Sequence, residues 1–233
     1  SDTIIICSVN QDNGEIRLVS VYRDTYLNLG NDTYNKCNSA YSKGGPAQAI
    51  SMLNMNLDLD ISDFVTVGFS GLTDAIDELG GVQIDVRENE IDHLNNYQIS
   101  MVGKKDGKNA AGEDSFVARE GVDKAKTSDV GTLTKIANNV FQETYTSLDL
   151  SEIVSLLGNI ASYHVVGDEG FPTDEYRSTA VLGKKGDCVL PRDLVANVKW
   201  LHGFLFDDAG YEVTADVQRY SAQIDSDIAP YIK

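Results

Sequence analysis

The first 21 residues constrain the fold of this chain more than any other stretch. The apolar run 3–9 (TIIICSV) and the alternating run 15–21 (EIRLVSV) are separated only by 10–14 (NQDNG). Val, Ile and Thr suit a pleated strand, whereas Asn, Asp and Gly tolerate the dihedrals of tight turns, so the segment predicts an antiparallel hairpin. Such a hairpin brings residue 2, before the first strand, and residues 22–25, after the second, to the same open end.

Downstream the period lengthens. Gly45-Pro46 opens a predicted helix in which Ala49, Ile50, Leu53 and Leu57 recur at helical spacing. Residues 64–69 read as a buried strand. Asp74 to Leu79, closed by Gly80-Gly81, read as a helix, and 82–86 as the next strand, which together predict a right-handed crossover. Residues 128–145 form a predicted helix, with Val130, Leu133, Ile136, Ala137 and Val140 on one side. Asp149 and Glu152 make a capping-box pattern before the apolar run that starts at Ile153. Pro191 suits the first turn of a helix carrying Leu194, Val198, Leu201 and Leu205 on one stripe, with Trp200, Phe204 and Phe206 flanking it as core aromatics. An acidic tail from 207 to 233 ends in a short amphipathic helix over 217–228. The four prolines are scattered and no low-complexity linker appears, so a single α/β domain spanning 1–233, with helices covering a mixed sheet, is expected.

Charge removes several functions. Nineteen Lys and Arg against 36 Asp and Glu leave a net charge of −17, so nucleic acid is excluded as a partner and any phosphate needs a local basic pocket. Residues 51–100 are acidic with Arg87 as their lone base, the ordinary mark of a solvated face. No apolar run reaches the roughly 18 residues that a membrane span requires, and residue 1 leads straight into a strand without a signal peptide. Cys7, Cys37 and Cys188, like His93, His164 and His202, lack metal-ligand spacing. Nucleophile-elbow, Walker, dinucleotide-binding and zinc-protease motifs are all missing, which removes support for those reactions.

What remains is Tyr22-Arg23-Asp24-Thr25 at the open end of the hairpin, beside Asp2. Two carboxylates there would hold Mg2+ through hard oxygen ligands, Arg23 would supply a bidentate phosphate fork, and Lys36, between Asn35 and Asn38, would add charge. Spacing alone favours the plainer alternative, an Arg23-Asp24 ion pair with Asp2 as a strand-end cap.

At these residues the chain resembles the LytR-CpsA-Psr family of bacterial cell-wall proteins. The similarity lies in SDTIIICSVN (1–10), RLVSVYRDTY (17–26), NKCNSAYSKGG (35–45) and FVTVGFSGLTDAIDELGGVQIDV (64–86), in the family's order and spacing, with DCVLPRDLVANVKWLHGFLF (187–206) resembling a C-terminal extension of some members. The resemblance implies a three-layer α/β/α domain whose central mixed sheet encloses an apolar lipid tunnel. It also implies an N-terminal strand and a membrane anchor that this chain lacks, and a place outside the cell, at the membrane or wall of a Gram-positive-type bacterium. The implied reaction is transfer of an anionic glycopolymer, teichoic acid or capsule, from a polyprenyl diphosphate to peptidoglycan.

By residue, the resemblance makes Asp2 and Asp24 Mg2+ ligands, makes Arg23, Lys36, Asn38 and Arg119 ligand-binding groups, and gives Arg23, Asp24 and Arg119 the catalytic roles. Arg119 matches the first arginine of a paired motif whose second falls on Gly121. A further family segment, D-x-G-R-x-x-R-Q, reads Asp129-Val130-Gly131-Thr132-Leu133-Thr134-Lys135-Ile136, so both arginines and the glutamine are replaced. Lysine is a point charge without the arginine fork, so this departure keeps open a polyprenyl-phosphate-binding wall protein without turnover, besides an unrelated binding module. The implied export also permits a Cys37–Cys188 disulfide, with three free thiols the alternative.

Overall fold

A computed structural model of the chain describes residues 1–68, 71–73, 76 and 144–231, and these divide between two compact units, 1–64 with 147–233, and 65–146. In the first unit the predicted hairpin forms as β1 (Ile5–Val9) and β2 (Glu15–Val21), antiparallel with Ile5 opposite Ser20 and Val9 opposite Ile16. The turn rests on Asn10, whose side-chain oxygen accepts from the Asp12 backbone N–H at 2.9 Å, and on Gly14 at φ +76°, where a Cβ would lie 2.4 Å from the Ser162 carbonyl oxygen. On the other side of β2 runs β7 (His164–Phe171), parallel, with Val21 opposite Phe171. The three-stranded sheet is therefore mixed, as expected.

Two short hairpins complete the unit's strands: β3 (Tyr26–Asn28) with β4 (Tyr34–Lys36), and β8 (Arg177–Val181) with β9 (Asp187–Pro191). Helix α1 (Asn38–Leu57) begins earlier than the Gly45-Pro46 signal suggests. It is interrupted at Gly44 and Gly45, the latter at φ +66°, and Pro46 then restarts it. Its buried residues are Ala40, Met52, Leu53, Asn56 and Leu57. Helix α2 (Leu150–Gly158) starts on the expected capping box: the Asp149 carboxylate accepts from Glu152 N–H at 2.9 Å, and Asp149 N–H donates to the Glu152 carboxylate at 2.8 Å. Helices α3 (Leu194–Phe206) and α4 (Ala215–Ile228) pack on each other, α3 also on β2 and α4 on α1. The Leu194, Val198, Leu201 and Leu205 stripe is buried, as are Val217, Ile224 and Ile228 of α4. Each such side chain contributes about 1.5–3 kcal/mol.

The end of α1, the body of α3 and the start of α4 meet at one joint. His202 of α3 contacts the Leu57 carbonyl oxygen at 2.9 Å through Nε2. Asp58 closes α1 in the left-handed conformation, and its carboxylate accepts from both the N–H and the hydroxyl of Thr214, the N-cap of α4.

Several expectations need correction. Pro191 ends β9, and α3 starts three residues later behind Asp193, whose carboxylate accepts from Ala196 N–H. Phe206 is 52% exposed, whereas Trp200 stacks on Phe204 at 5.5 Å beside the core. In the second unit β5 (Val65–Val67) pairs antiparallel with β6 (Thr144–Thr146), so Tyr145 belongs to a strand and not to the end of a helix, and Val65 and Val67 are exposed where a buried strand was expected. Cys37 and Cys188 are free and buried, without the disulfide, and Cys7 is exposed. The second strand of the crossover (82–86), most of its helix, and residues 128–143 of the helix expected over 128–145 lie outside the described residues.

Candidate functional site

Strand β2 delivers its last residue to the edge of the sheet, and the chain turns sharply. Tyr22 N–H donates to the Phe171 carbonyl oxygen at 3.0 Å, and the Thr25 N–H and hydroxyl both return to the Tyr22 carbonyl oxygen. Three further elements hold this turn from outside. Val189 N–H of β9 donates to the Asp24 oxygen at 2.9 Å, Cys37 N–H to the Thr25 oxygen at 2.8 Å, and Asn38 N–H, at the start of α1, to the Arg23 oxygen at 3.1 Å. The Cys37 thiol donates to the Tyr22 and Arg23 carbonyl oxygens at 3.3 Å. Burial pushes that thiol up to about 12, so it stays protonated and acts as a brace, not a nucleophile.

So fixed, the backbone places Asp2 with Arg23 and Asp24, as the open end of the hairpin predicts, and β4 adds Lys36. Arg23 Nη1 bonds the Asp2 carboxylate, Arg23 Nε stands 3.6 Å from Asp24 Oδ2, and Lys36 Nζ lies 3.0 Å from Asp24 Oδ1. Two acids and two bases thus alternate. The cavity beside them, about 320 Å3, is lined by Asp2, Thr3, Ile4, Tyr22, Arg23 and Asp24 among others. Asn38 contributes its backbone N–H to the turn, while Arg119 lies outside the described residues.

Sequence reasoning missed Tyr22 as a wall of this cavity. Its ring carries the Arg177 guanidinium 4.7 Å above its centroid and lies across Gly170, where a Cβ would meet the phenol oxygen at 2.2 Å. A glycine opposite the end of β2 was the available signal. Gly170→Ala is expected to push the Tyr22 ring aside at a cost of about 1–3 kcal/mol, measured by urea denaturation. Separately, Ala47, Ile50, Met55 and Phe64, with three polar neighbours, line a more apolar groove of about 590 Å3 along α1.

A mixed sheet whose strand end gathers alternating acids and bases, beside helices that carry an apolar groove, is the kind of α/β domain that the opening motifs resemble. Residues 1–113, just under half of the chain, match the LytR_cpsA_psr family model. The polyisoprenyl-teichoic acid–peptidoglycan teichoic acid transferase TagV of Bacillus subtilis is 37% identical over 89 residues, 37% of this chain and 23% of that protein. TagU of Enterococcus faecalis, of the same description, is 33% identical over 86 residues, 36% of this chain and 28% of that protein. The match therefore spans about a quarter of these relatives' length. The fold is shared more widely. A LytR-CPS2A-psr family protein, YwtF (TagT), solved with bound octaprenyl pyrophosphate lipid, superposes with a TM-score of 0.59 at 17% identity, over 88% of this chain and 85% of that one. A structure from Enterococcus faecalis described as a transcriptional regulator gives 0.59 at 17% identity, over 99% and 91%.

Proposed function

We propose that this chain binds a polyprenyl diphosphate-linked glycopolymer at the Asp2-Arg23-Asp24-Lys36 site and transfers the polymer, a teichoic acid or capsular polysaccharide, to peptidoglycan at the outer face of the cytoplasmic membrane. The observation that carries this reading is the convergence of Asp2, Arg23 and Asp24 on one cavity, with Lys36 held beside it by Asp24, in a chain that is otherwise strongly acidic. Two cations on a rim are what a diphosphate requires, and the relatives' printed names supply the polymer and the acceptor. No helix among the described residues is long and apolar enough to cross a membrane.

In this reading the acceptor hydroxyl attacks the sugar-proximal phosphorus, the bond to the lipid phosphate oxygen breaks, and the hydroxyl proton leaves to a carboxylate or water. Arg23 Nη2, which has no partner among the described residues, and Nη1, released from Asp2, form the fork that meets the phosphate oxygens. Asp24 holds the guanidinium from its Nε side and also positions Lys36. The donors suit Mg2+ only in part: Asp2 and Asp24 offer oxygens alone, and no group of three or more metal-ligating side chains occurs among the described residues. Such a pair would hold Mg2+ once phosphate oxygens and water fill the remaining positions, and the ion would supply charge neutralisation of the diphosphate.

Calorimetric titration of the chain with a short-chain polyprenyl diphosphate, with and without Mg2+, tests the reading. Each is expected to tighten the other's binding by the same factor. Equal affinity in chelator removes the metal from the proposal, and no binding in either condition removes the proposal. Adding a peptidoglycan acceptor and following lipid phosphate release then separates transfer from binding without turnover, the reading favoured by the replaced arginines at Thr132 and Lys135.

A further inference from the structure

A second cavity, of about 450 Å3, opens on the face of the β3–β4 hairpin that α4 covers. Directly opposed residues of an antiparallel pair share a face, so Tyr26, Asn28, Tyr34 and Lys36 leave the hairpin on one side. From α4 come Arg219, Gln223 and Asp227, spaced four apart and so on one stripe, and from the β8–β9 turn comes Lys185. The lining is completed by Asp32.

The bonds already made within this cavity define what it can take. Tyr26 donates to Asp227 Oδ2 at 2.9 Å, and Gln223 Nε2 donates to Asp227 Oδ1 at 2.8 Å. Arg219 donates to Asp32 Oδ1 at 2.8 Å and to Asp216 Oδ1 at 3.3 Å. Asn28 Nδ2 reaches both Asp32 Oδ1, at 3.3 Å, and the Tyr34 hydroxyl, at 3.5 Å. Lys185 Nζ stands 5.4 Å from the Tyr26 ring centroid and has no carboxylate partner among the described residues.

Both kinds of group are left over. The Lys185 ammonium, the Tyr34 hydroxyl proton and the second amide N–H of Gln223 remain as donors, and Asp32 Oδ2 and the Gln223 carbonyl oxygen as acceptors, without partners among the described residues. A phosphate accepts only and would face Asp32 and Asp227. A metal ion would find those carboxylates committed to Arg219, Tyr26 and Gln223. The charges of Asp32, Asp227, Lys185 and Arg219 cancel. The half-buried Tyr34 ring, its centroid 6.1 Å from that of the buried Tyr26 and tilted by 37° to it, adds an apolar wall. Mixed donors and acceptors around an aromatic wall, in a cavity within the usual size range for small ligands, match a ligand whose hydroxyls donate and accept while its C–H face packs on a ring.

The geometry points to a saccharide-binding site between the β3–β4 hairpin, α4 and the β8–β9 turn, taking a pyranose of uncharged, hydroxyl- or acetamido-bearing type. It goes beyond the diphosphate reading and does not depend on it, although Lys36 on the same hairpin face reaches Asp24 of that site. A sugar here comes either from a free glycan strand or from the saccharide attached to a lipid diphosphate.

The test titrates the chain with N-acetylchitotriose, and in a second arm compares a lipid diphosphate bearing a disaccharide with the same lipid diphosphate lacking it. Gln223→Leu and Tyr34→Phe each remove one polar contact without opening the core. Each is expected to weaken saccharide binding about fivefold, the worth of a neutral hydrogen bond, while leaving affinity for the sugar-free lipid unchanged. Chitotriose binding that is sensitive to both substitutions assigns a free glycan. Sensitivity confined to the sugar-bearing lipid assigns the donor saccharide. No saccharide effect in either arm, binding that ignores both substitutions, or inorganic phosphate displacing the sugar at this cavity overturns the inference. Saccharide binding with no affinity for the sugar-free lipid would overturn the diphosphate reading and leave this one standing.

Discussion

Arg23→Ala is expected to weaken polyprenyl diphosphate binding at least tenfold while the melting temperature moves by no more than about 2 °C. The Arg23 side chain is 49% exposed and its partners Asp2 and Asp24 are 57% and 32% exposed, so water screens these pairs and their contribution to stability is small. Its backbone, which does hold the turn through the Arg23 carbonyl oxygen, is untouched by the substitution. A charged bidentate contact to phosphate contributes more than about 1.4 kcal/mol, the tenfold threshold. Titration of the variant with lipid, alongside a thermal melt, reads both quantities. Unchanged affinity would return Arg23 to the role of a surface ion-pair partner, and a large drop in melting temperature would make it a structural residue.

Asn56→Leu is expected to be the most costly single change, lowering the unfolding free energy by about 3–5 kcal/mol in urea denaturation. Asn56 is fully buried on α1, and its amide does the work of an absent strand. Its oxygen accepts from Asn28 N–H at 3.1 Å, and its Nδ2 donates to the Asn28 and Met52 carbonyl oxygens, both at 2.7 Å. β3 has β4 on one side and this side chain on the other. Leucine has nearly the same shape, so packing survives while the buried N–H and C=O of Asn28 lose their partners. A loss below about 1 kcal/mol would show that water replaces the amide.

The same residue shows why part of the fold was legible in the sequence and part was not. The first hairpin, the capping box at Asp149 and the leucine stripe of α3 each rest on contacts between near neighbours in sequence, and each forms where expected. β3 and β4 are three residues each and lean on Asn56, 28 residues from Asn28, so no local period marks them. Pro191 satisfies the preference for a helix's first turn equally well at the end of an edge hairpin, and there the pairing with Arg177 prevailed. Of the site, Asp2, Arg23 and Asp24 were legible because an antiparallel hairpin obliges its two ends to meet. Tyr22 and Gly170 were not, since a parallel neighbour more than a hundred residues away brings them together.

The joint at Leu57 and Asp58 bears on how the protein comes apart. Because the Leu57 carbonyl receives His202 and the Asp58 carboxylate receives Thr214, the end of α1, the body of α3 and the start of α4 are tied together by hydrogen bonds. Neither the end of α1 nor the start of α4 can fray here without exposing groups of its neighbours. Their amide protons should therefore exchange with solvent as one cooperative unit, and the β3–β4 hairpin, packed on α1 and α4, would be released to solvent only when that unit opens.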